Sequence, residues 1–187
     1  MSVYAPARVV RRWVDGYRQA AADLGYVPDP EKIAFSVPVY VADTDERADR
    51  EARPAMEWLF HQGLKMPPQI HNPPGYMSPS SLRGVLMAGI KPFSQLSYED
   101  LLAEGQAVVG SPATVTARLS ELHTELGGFG QLIGLFAIGP STHEQVTRSA
   151  ELFASEVIPA LRPLGVAQDA AAASPAELTG GGRATAA

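Results

Sequence analysis

Three times along this chain an apolar, strand-like run gives way to a turn holding a Ser or Thr, and a helical pattern starts at once. The three stretches are "KIAFSVPVYVADTDERADREA", "AVVGSPATVTARLSEL" and "QLIGLFAIGPSTHEQV". This order restricts the fold more than any other feature. Strands separated by helices return to the same end of a sheet, so the spacing predicts an α/β fold with parallel strands and helical crossovers.

In the first stretch Ile33, Phe35, Val37, Val39 and Val41 alternate with a period of two, as a strand requires. Pro38 has no N–H to donate and is expected at a bulge, a strand end or an unpaired position. Thr44 is placed to cap a helix running to about Gly63, with Asp45 and Glu46 at its positive end. In the second stretch Ala107–Val109 reads as a short strand. Ser111 is the cap, Pro112 takes the first helical position, and Val115, Leu119, Leu122 and Leu126 form a buried stripe. The third run is nearly all apolar and predicts a strand covered on both faces. Its helix presents Val146, Ala150, Phe153, Val157 and Leu161 along one side.

A further helix precedes all three, with Val9, Val10, Trp13, Val14, Tyr17, Ala21 and Leu24 on one face and Gly25 as its stop. Trp13, Tyr17, Trp58 and Phe60 fall at helical spacings and are expected in the core. Between Lys65 and Leu82 the periodicity vanishes. Prolines 67, 68, 73, 74 and 79 forbid regular structure there, which predicts a long loop or lid. Weaker helical patterns follow near 80–89 and 97–104. The composition after Gly165 is mostly Ala, Gly, Ser and Thr, so residues 1–165 are read as one unit and 166–187 as a disordered tail.

Charge and composition narrow the function. A net charge of −5 argues against a nucleic-acid partner. With no cysteine, thiolate metal sites and thiol nucleophiles are excluded. No stretch approaches the roughly 18 apolar residues of a membrane span, so a cytoplasmic location is expected and no membrane partner. His61, His123 and His143 lack a second ligand four residues on, so no metal is expected. "GGFGQLIG" has Ile133 where a dinucleotide turn needs glycine, and its glycines precede a strand instead of following one.

Two candidate sites remain. The Gly110-Ser111-Pro112 turn joins a strand end to a helix start, where backbone N–H groups can hold a phosphate. Capping alone explains Ser-Pro at a helix start, so the turn reads as a scaffold turn on the face where such a site would lie. The second candidate is the proline-rich loop. No acidic residue lies between Glu57 and Glu99, where the chain's average would place about four, while Lys65, Arg83 and Lys91 are basic. Such a lid would favour an anion, and His71, Asn72 and Tyr76 are the polar groups within it.

"GYVPDPEKIAFSVPVYVADTDERADREA", "PPGYMSPSSL", "AVVGSPATVTARLSEL" and "AELFASEVIPALRPL", in this order and spacing, resemble the C-terminal half of luciferase-like flavin-dependent monooxygenases. The resemblance runs from about Val3 to Leu164. It implies a partial (β/α)8 TIM barrel, here about three parallel strands with flanking helices plus the proline-rich loop. Such barrels bind reduced flavin at the C-terminal ends of the strands and react it with O2. The resemblance therefore implies reduced FMN, with the deazaflavin coenzyme F420 as the alternative, and a small-molecule organic substrate. It does not find the N-terminal half, which carries much of the flavin pocket. That implies a truncated or split enzyme partnered by an N-terminal half-barrel or by a second copy. The other reading is a half-barrel without catalysis of its own, because an unclosed sheet leaves strand edges to be covered.

Overall fold

A computed structural model describes residues 4–65, 75, 78–80, 83, 87 and 91–164. The chain opens with α1 (Ala7–Asp23), followed by β1 (Ala34–Val41) and α2 (Asp45–Trp58). A wider π-helical turn over Leu59–Gly63 extends α2 to the glycine where the pattern ends. After the proline-rich region come α3 (Tyr98–Ala103), β2 (Val108–Gly110), α4 (Pro112–Glu125), β3 (Gln131–Leu135) and α5 (His143–Leu152). A second π turn, Phe153–Val157, carries α5 into further helix over 158–164. Positions 83 and 87 are helical, in the first of the two weakly patterned regions. Pro79 and Ser80 are helical too, against the expectation that this stretch lacks regular structure, because a proline is tolerated in the first turn of a helix.

All strand pairing is parallel, and the strands stand in the order β2-β1-β3. β1 is therefore central, yet its two neighbours use different halves of it. Ala34–Pro38 pair with Gln131–Leu135, and Val39–Val41 pair with Val108–Gly110. Pro38 lies at the step, where pairing with β3 ends and pairing with β2 begins. A residue without an N–H is tolerated there because the ladder changes edge.

Both faces of β1 are covered. Val37, Val39 and Val41 pack with Val9, Val10 and Val14 of α1, with Val115, Leu119 and Leu122 of α4, and with Phe153 and Val157. Tyr40 and Ala42 face Ala48, Ala52, Ala55 and Met56 of α2 and Tyr98 and Leu101 of α3. The small residues on α2 follow from this, since alanines let a helix approach a sheet closely.

Two expectations are corrected. β3 is not covered on both faces: Gln131 and Ile133 are exposed and the other three residues only partly buried. It stands at the edge of the sheet, so its outer side meets no strand among the described residues. Trp13 and Trp58 are likewise not core; they are 44% and 47% exposed. Helical spacing places a side chain on a face, but it cannot say how far a neighbouring element reaches over the indole. Phe60 is buried as expected. On α5 the fully buried residue is Ser149, one position before Ala150. Among the described residues no helix is long and apolar enough to cross a membrane. The 166–187 tail lies outside the described residues.

Candidate functional site at the C-terminal end of the sheet

In a parallel sheet the chain turns into its helices at the C-terminal strand ends, and side chains that act on ligands collect there. In this chain those ends are held by two polar clusters.

The first joins β1 to β2. Ala42 donates its N–H to the Gly110 carbonyl (3.2 Å), extending the ladder one residue past β1. Asp45, in the first turn of α2, accepts the Ser111 N–H at Oδ1 (2.6 Å) and the Thr114 hydroxyl at Oδ2 (2.9 Å). The Ser111 hydroxyl in turn accepts the Thr114 N–H (3.4 Å), so it is the N-cap of α4. Hydrogen bonds from the Ser111 backbone and the Thr114 hydroxyl hold the Asp45 carboxyl below its ordinary range. Gly110 is required by proximity: a Cβ there would stand 2.7 Å from Thr114 Cγ2 and 3.0 Å from Asp45 Oδ1.

The turn expected to receive a phosphate therefore already faces an anion, the carboxylate of Asp45. The helix N-terminus has the chemistry for an anion, and the chain supplies one from the neighbouring βα unit. The sequence shows Asp45 only as a first-turn acid of its own helix. Its bond to a residue 66 positions away has no local signal.

The second cluster joins β1 to α2 and α5. Past Leu135, β3 no longer pairs with β1, and Val41 would leave its N–H bare on that edge. Ser149 of α5 accepts it instead, at 2.8 Å, and is fully buried. Beside it the Tyr40 hydroxyl donates to Glu51 Oε2 (2.7 Å), which also pairs with Arg148. Arg47 bridges Glu51 Oε1 (3.0 Å) and Asp43 Oδ2 (2.5 Å). Burial together with the Glu51 carboxylate pushes the Tyr40 phenol up to about 12, so it stays protonated and donates. For Glu51, burial opposes the charge, but hydrogen bonds from Tyr40 and Arg47 and the charge of Arg148 outweigh it and lower its pKa. Arg148 Nε is buried without a partner among the described residues. The Arg47–Glu51 pair is legible as an i,i+4 spacing. Arg148, 97 residues further on, is not.

The lid candidates divide. His71, Asn72 and Tyr76 lie outside the described residues. Lys65 and Arg83 are exposed, and Arg83 borders an open hollow with Pro79, Ser80 and Met87. Lys91 is not free to attract a ligand, since it pairs with Asp100 at 2.9 Å. The structure does not bring Gly110 and Ser111 into contact with Lys65 or Arg83. His61 Nε2 hydrogen-bonds the Leu96 carbonyl (2.8 Å), and His123 lies edge-on to Phe129. No cluster of metal-ligating residues exists among the described residues.

Comparison with known proteins agrees with this architecture. The chain is 25% identical over 163 residues to 2,5-diketocamphane 1,2-monooxygenase 1 of Pseudomonas putida, covering 87% of this chain and 43% of that protein. It is 30% identical over 139 residues to 3,6-diketocamphane 1,6-monooxygenase of the same organism, covering 71% of this chain and 33% of that one. Among solved structures it is similar to the oxygenating constituent of 3,6-diketocamphane monooxygenase, a type II Baeyer-Villiger monooxygenase in complex with FMN. There the TM-score is 0.59 at 28% identity, over 84% of this chain and 41% of that one. The monooxygenase RslO1 from Streptomyces bottropensis shares the fold, with a TM-score of 0.58 at 22% identity over 84% of this chain and 39% of the other. The chain thus spans about two fifths of the length of such relatives. Residues 1–128 match the luciferase-like monooxygenase family, and the chain belongs to it.

Proposed function

We propose that this chain contributes the C-terminal strand-end face of a flavin-dependent monooxygenase that oxidises a small organic substrate with reduced FMN and O2. The observation that carries this reading is the likeness, over 84% of the chain, to an oxygenating constituent solved with FMN. In this reading further strands of the barrel come from outside these 187 residues, on an N-terminal half-barrel partner or a second copy.

The described residues do not by themselves form a phosphate cradle. Ser111 spends its N–H on Asp45, whose carboxylate would repel a phosphate. Gly110 and Ser111 serve as the close-packed wall of the site, and direct phosphate contact at Ser111 requires Asp45 to move aside. Lys65 and Arg83, with His71, Asn72 and Tyr76, form the lid side, where cations favour an anionic ligand. A bound reduced flavin supplies the electrons for oxygen activation. The protein's part is to position it and exclude water. Coenzyme F420 in place of FMN is the variant of the same reading.

A second reading has its own observation. The exposed edge of β3, with Ile133 47% exposed, together with the Asp45-filled turn, favours a half-barrel that binds a partner and lacks a flavin site. Titrating the purified 187-residue chain with FMN, oxidised and then reduced, and following flavin fluorescence separates the two. Saturable binding supports the monooxygenase reading and warrants turnover assays. A folded chain that binds neither form transfers the flavin site to the rest of the barrel and leaves the partner-binding reading.

A further inference from the structure

The helices that follow parallel strands run back along the sheet, so their C-terminal ends gather at the end opposite the strand-end site. There, between α4, the start of β3 and the last helix, lies a cavity of about 350 Å³. Its walls are apolar: Leu119, Phe129, Leu132, Phe153, Ile158 and Leu161. Two polar side chains join them, His123 and Arg162. The volume falls in the range of small-molecule sites, and so does the ratio of apolar wall to a few polar groups.

Arg162 decides the kind of ligand. It is exposed, and no carboxylate pairs with it among the described residues, although α1, α2 and α4 each use an arginine in an ion pair. The carbonyl ends of α4 and of the last helix add partial negative charge at this end, which opposes an anion. Each helix end amounts to about half a charge and is solvated, whereas a guanidinium carries a full charge and two parallel N–H donors matched to a carboxylate. At contact distance the guanidinium prevails.

We propose that this cavity binds a medium-chain monocarboxylate, with its alkyl tail among Phe129, Leu132 and Phe153 and its carboxylate on Arg162. The site is distinct from the strand-end face and does not depend on the flavin reading.

The test is calorimetric titration of the full chain with decanoate, with decanol as the uncharged probe of the same tail. Decanoate is expected to bind saturably at one site per chain, and decanol more weakly. Arg162→Gln should weaken decanoate roughly tenfold, the loss of one charge-assisted contact, while leaving decanol unchanged. Ile158→Trp, at a side chain already 41% exposed, should narrow the mouth and weaken both probes without altering the circular dichroism. A folded chain with no saturable decanoate binding overturns the proposal. So does decanoate affinity indifferent to Arg162→Gln. A dimer that Leu161→Glu splits would overturn it as well, making this cavity an interface between copies.

Discussion

β1 and β3 are the two strands a reader of the sequence would rank as the most apolar, and the fold treats them in opposite ways. β1 is buried from Phe35 to Val41, whereas β3 has no fully buried residue. Their residue types do not explain the difference. β1 has a neighbour on each edge and a helical layer on each face; β3 has one strand neighbour and stands at the border of the sheet. An apolar run records the environment a strand was selected for, and β3 is apolar for more cover than the described residues supply. That is the expectation for one wall of a partial barrel, and the chain spans about two fifths of the length of the relatives it matches.

The largest effect that would sharpen the contrast is a charge placed on each strand. Val39→Asp buries a carboxylate without a partner and should cost more than about 4 kcal/mol, enough to prevent folding. Ile133→Asp should cost less than about 1 kcal/mol in the isolated chain. Urea unfolding followed by circular dichroism measures both. Equal losses would show that β3 is buried in solution, by a second copy or by other residues of the chain.

Next in size is Ser149, which takes over the edge of β1 where β3 departs. Ser149→Ala leaves the Val41 N–H buried and unpaired and should cost about 2 kcal/mol. A negligible loss would mean that water reaches this edge and that the end of β1 is as open as β3.

Smaller again is the β1–β2 junction. Asp45→Asn should cost roughly 1 kcal/mol near neutral pH, comparable to loss of a cap. The pH dependence follows from the direction of the shift. Asp45 and Glu51 have carboxyl pKa values lower in the folded chain than in the unfolded one. Their contribution is complete above the unfolded value near about 4 and is lost as pH falls through the lower folded value. The acid limb of the stability profile should therefore flatten in Asp45→Asn. An unchanged limb would show that the carboxylate is not held by Ser111 and Thr114, leaving the turn open for a phosphate. The smallest effect expected is Ile133→Thr, within about 0.5 kcal/mol.

Much of the scaffold was legible because its signals are local. Alternation gave β1, and the caps Thr44 and Ser111 gave the helix starts that follow β1 and β2. What escaped depends on partners distant in sequence. Asp45 reads as a dipole-favouring acid until β2 brings Ser111 to it. Arg148 reads as a surface cation until α5 lays it against Glu51. Trp58 reads as core because spacing reports a face; the indole instead packs against Gly63 and Gly139 and remains half open. The lid expectation rests on composition alone, and of the three cations that suggest it Lys91 is already paired with Asp100.

Amide hydrogen exchange on the 187-residue chain tests the contrast between the strands most directly. Amides of β1 that bond to β2 or β3 should exchange only through global unfolding, and the Val41 amide, held by Ser149, should be equally slow. Along Gln131–Leu135 protection should alternate, with the amides facing β1 slow and those facing outward fast. Uniform protection of β3 at the level of β1 would contradict this picture and show its outer edge already paired in the isolated chain.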